Sequence, residues 1–283
     1  MSQHQLEQGS TQLKQNFYIN KVFNSLIDES RNHSLCSCFS LGLVVGYYWG
    51  VATQQSLIST LKAELDKTTA ELRGLRTEVE KLVASKPQLP TPKPVTVTAR
   101  TTALIIVDMQ NDFCKPNGSL FVGPSVTASI PHIKALLDRA RKAGVHVIYT
   151  QDWHPADDPE FKIWPMHCVQ GTWGAEVIDE LKPMPGDYVV KKTTYDAFFA
   201  RKTDVSLEDL LKDLNVDTVI VTGTVSNICV MHVVAGASLR GFKVVVPIDC
   251  ISALNDYGQE LAIFQMSFLY RAEITNSTLI TFT

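Results

Sequence analysis

The sequence predicts a three-layer α/β/α sandwich on a parallel, doubly wound sheet, preceded by a hydrophobic helix and a coiled coil. Three observations predict it. From residue 100 onward, short apolar runs alternate with segments of helical spacing, the pattern of strands joined by crossover helices. Those runs are apolar without alternation, as strands buried on both faces are. Before residue 85 the pattern is different: an uncharged stretch gives way to a three-four repeat.

The chain has 283 residues, 45% of them hydrophobic, which is enough for a sizeable core. Its formal charge of −3 carries no basic footprint, and this argues against a nucleic-acid partner. The six cysteines (Cys36, Cys38, Cys114, Cys168, Cys229 and Cys250) are scattered, with no CxxC pair. They read as reduced thiols in an intracellular setting.

Residues 1–34 are polar and without a clear period. Residues 35–53, "LCSCFSLGLVVGYYWGVAT", carry no charge. As a helix they reach roughly 28 Å, close to the hydrocarbon thickness of a bilayer. Tyr47, Tyr48 and Trp49 lie towards one end, as interfacial aromatics do. The expectation is a single-pass transmembrane anchor; a buried or interfacial helix is the competing reading. Basic residues flank the segment on both sides, so charge asymmetry gives no orientation.

Residues 56–84 place Ile58, Leu61, Leu65, Thr68, Leu72, Leu75, Val79 and Leu82 at alternating spacings of three and four. That is a heptad seam with one polar break, and a self-associating coiled coil is expected, with the number of strands open. The linker, residues 85–99, contains "KPQLPTPKP" (86–94), whose four prolines end the helix and favour extended geometry.

The domain is expected over residues 100–283. Strands are predicted at 102–108, 145–152, 187–192, 217–223, 243–249 and, last, within 273–282. Helices are predicted at 129–144, over "GAEVIDEL" (174–181), at 206–214 behind a Ser206 cap, at 227–240 and over 257–270. In such sheets ligands sit beyond the carboxyl ends of the strands. Asp108, Asp152, the Lys191–Lys192 pair and the segment leading to Cys229 all follow strand ends.

Cys229 stands just past the fourth strand, at the start of a helix. Helix N-termini carry partial positive charge and free N–H groups, which lower a thiol pKa and can hold an oxyanion. A carboxylate such as Asp108 can take the thiol proton, and a lysine can balance the charge. A small packing residue is the competing reading for the cysteine alone. Asp152 and His154, two apart at a strand end, and His167 in the next loop, make a set that suits a divalent metal. Two loop histidines in ordinary hydrogen bonds is the competing reading there.

The stretches "ALIIVDMQNDF", "DWHP", "WPMHCVQGTWGAE", "VVKKTTYDAFF" and "VIVTGTVSNICV" together resemble the isochorismatase-like cysteine hydrolase superfamily, most closely its nicotinamidase branch. The resemblance covers about residues 100–282. It implies a catalytic triad of Asp108, Lys192 and Cys229. Lys192 is preferred to Lys191 because the family's lysine stands three before the Tyr195 position. It implies a cis peptide at Val225–Ser226, with backbone N–H groups near Ser226–Cys229 as oxyanion donors. It implies a metal, zinc first and iron or manganese as alternatives, on Asp152, His154 and His167. It implies Phe113 and Trp164 as a sandwich for a planar ring, with Tyr195 also on the substrate side. Cys168 receives no role from it.

One departure concerns the loop after "DWHP". Here it reads "ADDPEFKI", shorter than in nicotinamidases and without their extra His and "SF". Asp157, Asp158 or Glu160 could supplement the metal there, or the loop could fit a different small amide. The expected function is deamidation of nicotinamide to nicotinate and ammonia through a thioester, in a membrane-tethered oligomer. Nicotinamide salvage places the domain on the cytosolic side. The alternatives are an amidase of the same superfamily acting on another carbamoyl or ureido compound, and a catalytically inert tethered scaffold.

Overall fold

A computed structural model describes residues 36–199 and 202–283. The polar segment 1–34 lies outside the described residues. The chain divides into two compact units, one ending at Lys86 and one running from Pro87 to Thr283.

In the first unit one helix, α1 (Cys36–Ser85), runs unbroken for 50 residues, about 75 Å. Leu, Ala, Glu and Lys favour it beyond residue 56, and Thr68 and Thr77 return their hydroxyls to the carbonyls of Glu64 and Arg73. It ends where Pro87 begins the proline-rich stretch. The seam residues from Ile58 to Leu82 are exposed.

The expected membrane span is overturned. Among the described residues no helix is long and apolar enough to cross a membrane. Gly42, Gly46 and Gly50, with Tyr47, Tyr48 and Trp49, dilute the apolar stretch, and Gln54 and Gln55 follow it at once. The single-pass membrane localisation falls with it.

The second unit holds a parallel sheet whose members are β2 (Thr102–Val107), β3 (His146–Asp152), β4 (Tyr188–Lys192), β5 (Thr218–Thr224), β6 (Lys243–Pro247) and β8 (Glu273–Thr275). Their order is β4-β3-β2-β5-β6-β8, with the short β7 (Ile251–Ser252) paired to β5. Every pairing is parallel. Period-two alternation splits the core. After the one-turn helix α2 (Asn111–Cys114), helix α3 (Pro124–Ala143) meets Leu104, Ile106, Val147 and Tyr149 through Ile133, Leu136 and Leu137. Ala103, Ile105, Val107 and Ile148 face the other way. There they pack with α4 (Leu207–Asp213), α5 (Met231–Leu239) and α6 (Asp256–Phe268). Each buried Val, Leu or Ile among them contributes roughly 1.5–3 kcal/mol. The expected three-layer sandwich is present.

Four boundaries differ from expectation. Helix α3 starts at Pro124, not at 129, because Pro131 inside it mimics a helix start. "GAEVIDEL" forms no α-helix: Val177 bridges to Gln110 and the Ile178 N–H donates to the Met109 carbonyl, so its backbone groups are spent on another segment. The last expected strand is two, β8 and β9 (Ile280–Phe282), because β9 leaves the main sheet to pair with β1 (Val95–Val97). That pairing draws the end of the expected linker into the folded unit, as does the Lys93 N–H bond to the Ile274 carbonyl.

At Gly223 the chain needs glycine. Its φ is +109°, and a Cβ would lie 2.0 Å from the Val107 carbonyl oxygen. Strands β2 and β5 approach there, at the point where chain order reverses across the sheet.

Candidate active site

The carboxyl ends of β2, β3, β4 and β5 deliver four reactive side chains to one place. Asp108 follows β2 directly, in the left-handed region at φ +51°, which turns it out of the strand. Its N–H donates to the Thr150 carbonyl at 3.2 Å, and the Thr150 hydroxyl donates to its Oδ1 at 2.7 Å. Asp152 ends β3 and Lys192 ends β4, directly opposite each other in the parallel register. Both side chains therefore leave on the same face. Lys191 goes the other way, its ammonium 3.9 Å above the Trp153 ring.

Lys192 is buried, with its ammonium in the middle of the group. It donates to Asp108 Oδ2 at 2.7 Å, bonds Asp152 Oδ1, and stands 3.8 Å from the Cys229 sulfur. The Cys229 sulfur and one oxygen each of Asp108 and Asp152 lie within 4.8 Å of one another. The three residues expected to form a triad are thus brought together.

Burial and charge set the protonation states. Burial opposes the Lys192 charge, but Asp108, Asp152 and Cys229 outweigh it and hold its pKa well above 10.5. Burial pushes the Asp108 carboxyl above 3.8 against the pull of Lys192. Asp152 resists its own burial through Lys192 and His154, and its pKa falls to about 2. For Cys229, burial is the largest influence, and the two carboxylates add to it. The thiol is pushed well above 9.0 although Lys192 opposes them. The surroundings therefore favour the thiol form of Cys229, through burial and two nearby carboxylates, where the sequence predicts a helix N-terminus that favours the thiolate.

Cys229 sits in a wide turn, Ser226–Val230, between β5 and α5. The Ile228 and Val230 N–H groups both donate to the Val225 carbonyl, which closes that turn. The cis peptide is at Thr224–Val225, one residue before its expected place. The cis bond thus joins the last strand residue to Val225, the residue that caps the turn, and not two turn residues. Ser226 is fully buried, and its hydroxyl donates to Gln259 Oε1 of α6 at 2.8 Å.

A pocket opens above the sulfur, lined by Asp152, Glu160, His167, Cys229 and all three expected ring contacts, Phe113, Trp164 and Tyr195. The Trp164 indole N–H donates to the Tyr195 hydroxyl at 2.8 Å, which fixes both rings. Leu120, Val122, Val225, Ile228 and Leu254 complete the apolar wall.

One oxygen of Asp152 and one nitrogen each of His154 and His167 lie within 4.8 Å of one another, and all three residues are buried. Each Nε2 stands 3.9 Å from Asp152 Oδ2. His167 Nδ1 contacts the Pro165 carbonyl at 2.7 Å, and His154 Nδ1 contacts Asp158 Oδ2 at 3.1 Å. Those partners suit protons on both Nδ1 atoms and leave both Nε2 atoms turned towards Asp152. His154 Nε2 is buried without a hydrogen-bond partner among the described residues. An orphaned imidazole nitrogen beside a carboxylate and a second imidazole is the donor set of a divalent metal site, so the residues fit one.

Sequence reasoning missed the supports. Gln110 donates to the carbonyls of Asp152 and Ala175 and accepts from the Asp152 N–H at 2.9 Å, fixing the end of β3. Its signal was its place two residues after Asp108. Thr150 was legible as the one hydroxyl in the run from Val145 to Thr150 apart from Tyr149. Of the loop carboxylates singled out in the sequence, Asp158 stands behind His154 and Glu160 reaches the pocket. Cys168 is buried, its sulfur 3.8 Å from the Gly174 carbonyl, outside the pocket lining.

Comparison with known proteins agrees with this geometry. The isochorismatase domain family matches residues 102–278. The nicotinamidase of Escherichia coli is 33% identical over 187 residues, 56% of this chain and 87% of its own length. A ureidoacrylate amidohydrolase of Caulobacter segnis is 31% identical over 205 residues, covering 63% of this chain and 84% of that protein. The crystal structure of a Bacillus subtilis nicotinamidase superposes with a TM-score of 0.58 at 28% identity, over 62% of this chain and 99% of that one. With its sheet order, its strand-end residues and a family match spanning more than half of its length, the chain belongs to the isochorismatase family of hydrolases.

Proposed function

We propose that this hydrolase deamidates nicotinamide to nicotinate and ammonia through a thioester on Cys229. The observation that carries the reading is the meeting of the Cys229 sulfur, the Asp108 carboxylate and the Lys192 ammonium under a pocket walled by Phe113 and Trp164.

The substrate ring stacks between Phe113 and Trp164, with Tyr195 bracing the indole. Asp108 takes the thiol proton as the sulfur attacks the carboxamide carbon. Proton loss and attack are coupled because the resting thiol is neutral. Backbone N–H groups of the Ser226–Cys229 turn stabilise the tetrahedral oxyanion; the Ile228 N–H is already committed to Val225. Asp108 returns its proton to the departing amine, releasing ammonia and leaving the acyl group on sulfur. Asp108 then takes a proton from water as it attacks the thioester, which frees nicotinate and the thiol. Lys192 keeps Asp108 oriented and balances its charge throughout. Asp152, His154 and His167 would hold a divalent metal, zinc first with iron or manganese as alternatives, and the metal would supply Lewis acidity at the substrate end of the pocket.

The alternative substrate class is another small carbamoyl or ureido compound, as the name of the Caulobacter relative suggests. Among the described residues lining the pocket there is no Lys or Arg, while Asp152 and Glu160 are acidic. Such a lining suits an uncharged amide better than a substrate bearing its own carboxylate. The exposed seam of α1 supports self-association of the chain, which would make the hydrolase an oligomer.

Ammonia release tests the reading. Purified metal-loaded protein should release ammonia from nicotinamide and much less from ureidoacrylate. Cys229→Ala should lose at least 10³-fold in turnover, by the scale of nucleophile removal, while still binding nicotinamide. Full activity in that variant would end the nucleophile assignment.

A further inference from the structure

We propose that α1 pairs with a second copy of this chain as a parallel, in-register, two-stranded coiled coil. The proposal rests on the self-association reading above and adds the orientation and the number of strands.

The seam residues Ile58, Leu61, Leu65, Leu72, Leu75, Val79 and Leu82 are 51–66% exposed, far more than a soluble helix tolerates on one continuous stripe. Their spacing sets the heptad register. Ile58, Leu65, Leu72 and Val79 occupy the a positions, and Leu61, Thr68, Leu75 and Leu82 the d positions. Branched Ile and Val at the ends of the a row, with Leu and no Ile in the d row, is the pattern of two strands.

The flanking charges decide the orientation. The g positions read Leu57, Glu64, Glu71 and Glu78, and the e positions read Lys62, Thr69, Arg76 and Val83. A parallel pair sets g of one helix against the following e of the other. Glu71 then meets the partner copy's position 76, an arginine, and no g residue meets a like charge. An antiparallel pair sets g against g and e against e. Glu64 and Glu78 would then face each other twice, Glu71 would face its own copy, and Lys62 would face Arg76. Arg76 now meets Glu80 at 2.9 Å, an exposed contact that costs little to exchange. Thr68 fixes the register, because only equal alignment sets threonine against threonine and not against leucine.

The experiment uses the full chain with Cys36→Ser and Cys38→Ser, followed by light scattering and non-reducing electrophoresis. The expected mass is two chains. Adding Leu82→Cys should move most of the protein into a covalent dimer on mild oxidation. A mixture of Ile58→Cys chains with Leu82→Cys chains should give no bond between positions 58 and 82, read by peptide mass. Leu65→Glu with Leu72→Glu should halve the mass and leave ammonia release per chain unchanged. A three-chain mass, or bonding of 58 to 82 with none of 82 to 82, overturns the number or the orientation while leaving association standing. A single-chain mass overturns association itself. None of these outcomes bears on the amide chemistry, which the nicotinamide assay tests separately.

Discussion

At the scale of single residues, the site is built around one buried cation held by two anions. Lys192 touches both Asp108 and Asp152, yet the two carboxyls end with opposite shifts. Asp152 is drawn down by Lys192 and by the His154 contact and becomes a strong anion; Asp108 is raised by its burial and by the neighbouring Asp152 charge. The sign of the pH dependence follows. Asp108 must be deprotonated to take the thiol proton, so kcat/KM should rise with pH through its pKa, with an acid limb above pH 3.8. Cys229 and Lys192 both titrate above their ordinary 9.0 and 10.5, so no alkaline loss from either is expected below pH 9. A pH–rate profile on metal-loaded protein checks both limbs, and an alkaline fall centred near 7 would contradict this account. Behind the metal ligands, Asp158 holds the His154 Nδ1 proton. Asp158→Asn should weaken zinc affinity by about 10- to 100-fold, the usual cost of losing such a support, as measured by chelator competition.

At the scale of elements, strand ends and their registers place the chemistry. Asp152 and Lys192 meet because β3 and β4 pair with those residues opposite. Gly223 lets β5 pass against Val107. Gly223→Ala should cost at least about 2 kcal/mol, from a positive φ and a backbone clash together, with a matching fall in thermal midpoint. The strands were legible in the sequence because parallel strands covered on both faces are unbroken apolar runs, and Leu104 to Val107 is such a run. The two elements misread failed for different reasons, one long-range and one local. The "GAEVIDEL" segment has helical spacing, but its backbone bonds go to Met109 and Asn111 on either side of Gln110, a long-range choice that no local pattern carries. The first turns of α3 were hidden behind Pro131. Residues identified by motif, such as Asp108, Lys192 and Cys229, came together as expected, whereas Gln110 and Thr150 act through tertiary hydrogen bonds and were not singled out.

At the scale of the whole molecule, the chain joins a long helix to a hydrolase domain that has its own core. The unit from Pro87 to Thr283 contains both hydrophobic clusters and every residue of the candidate site. A chain beginning at Pro87 should therefore fold cooperatively and keep its turnover within about twofold, because no site residue is removed. Parallel thermal melts and ammonia assays on the two lengths test this, and a truncated chain that is folded but inactive would show that the helix serves the chemistry.

The neutral thiol has a consequence beyond the reaction. Peroxide and alkylating reagents attack the ionised form of sulfur, which is scarce in a buried Cys229 whose proton is held this tightly. The idle enzyme should endure an oxidising burst that would poison a permanently ionised cysteine, and become vulnerable only while a ligand occupies the cleft and draws the proton away.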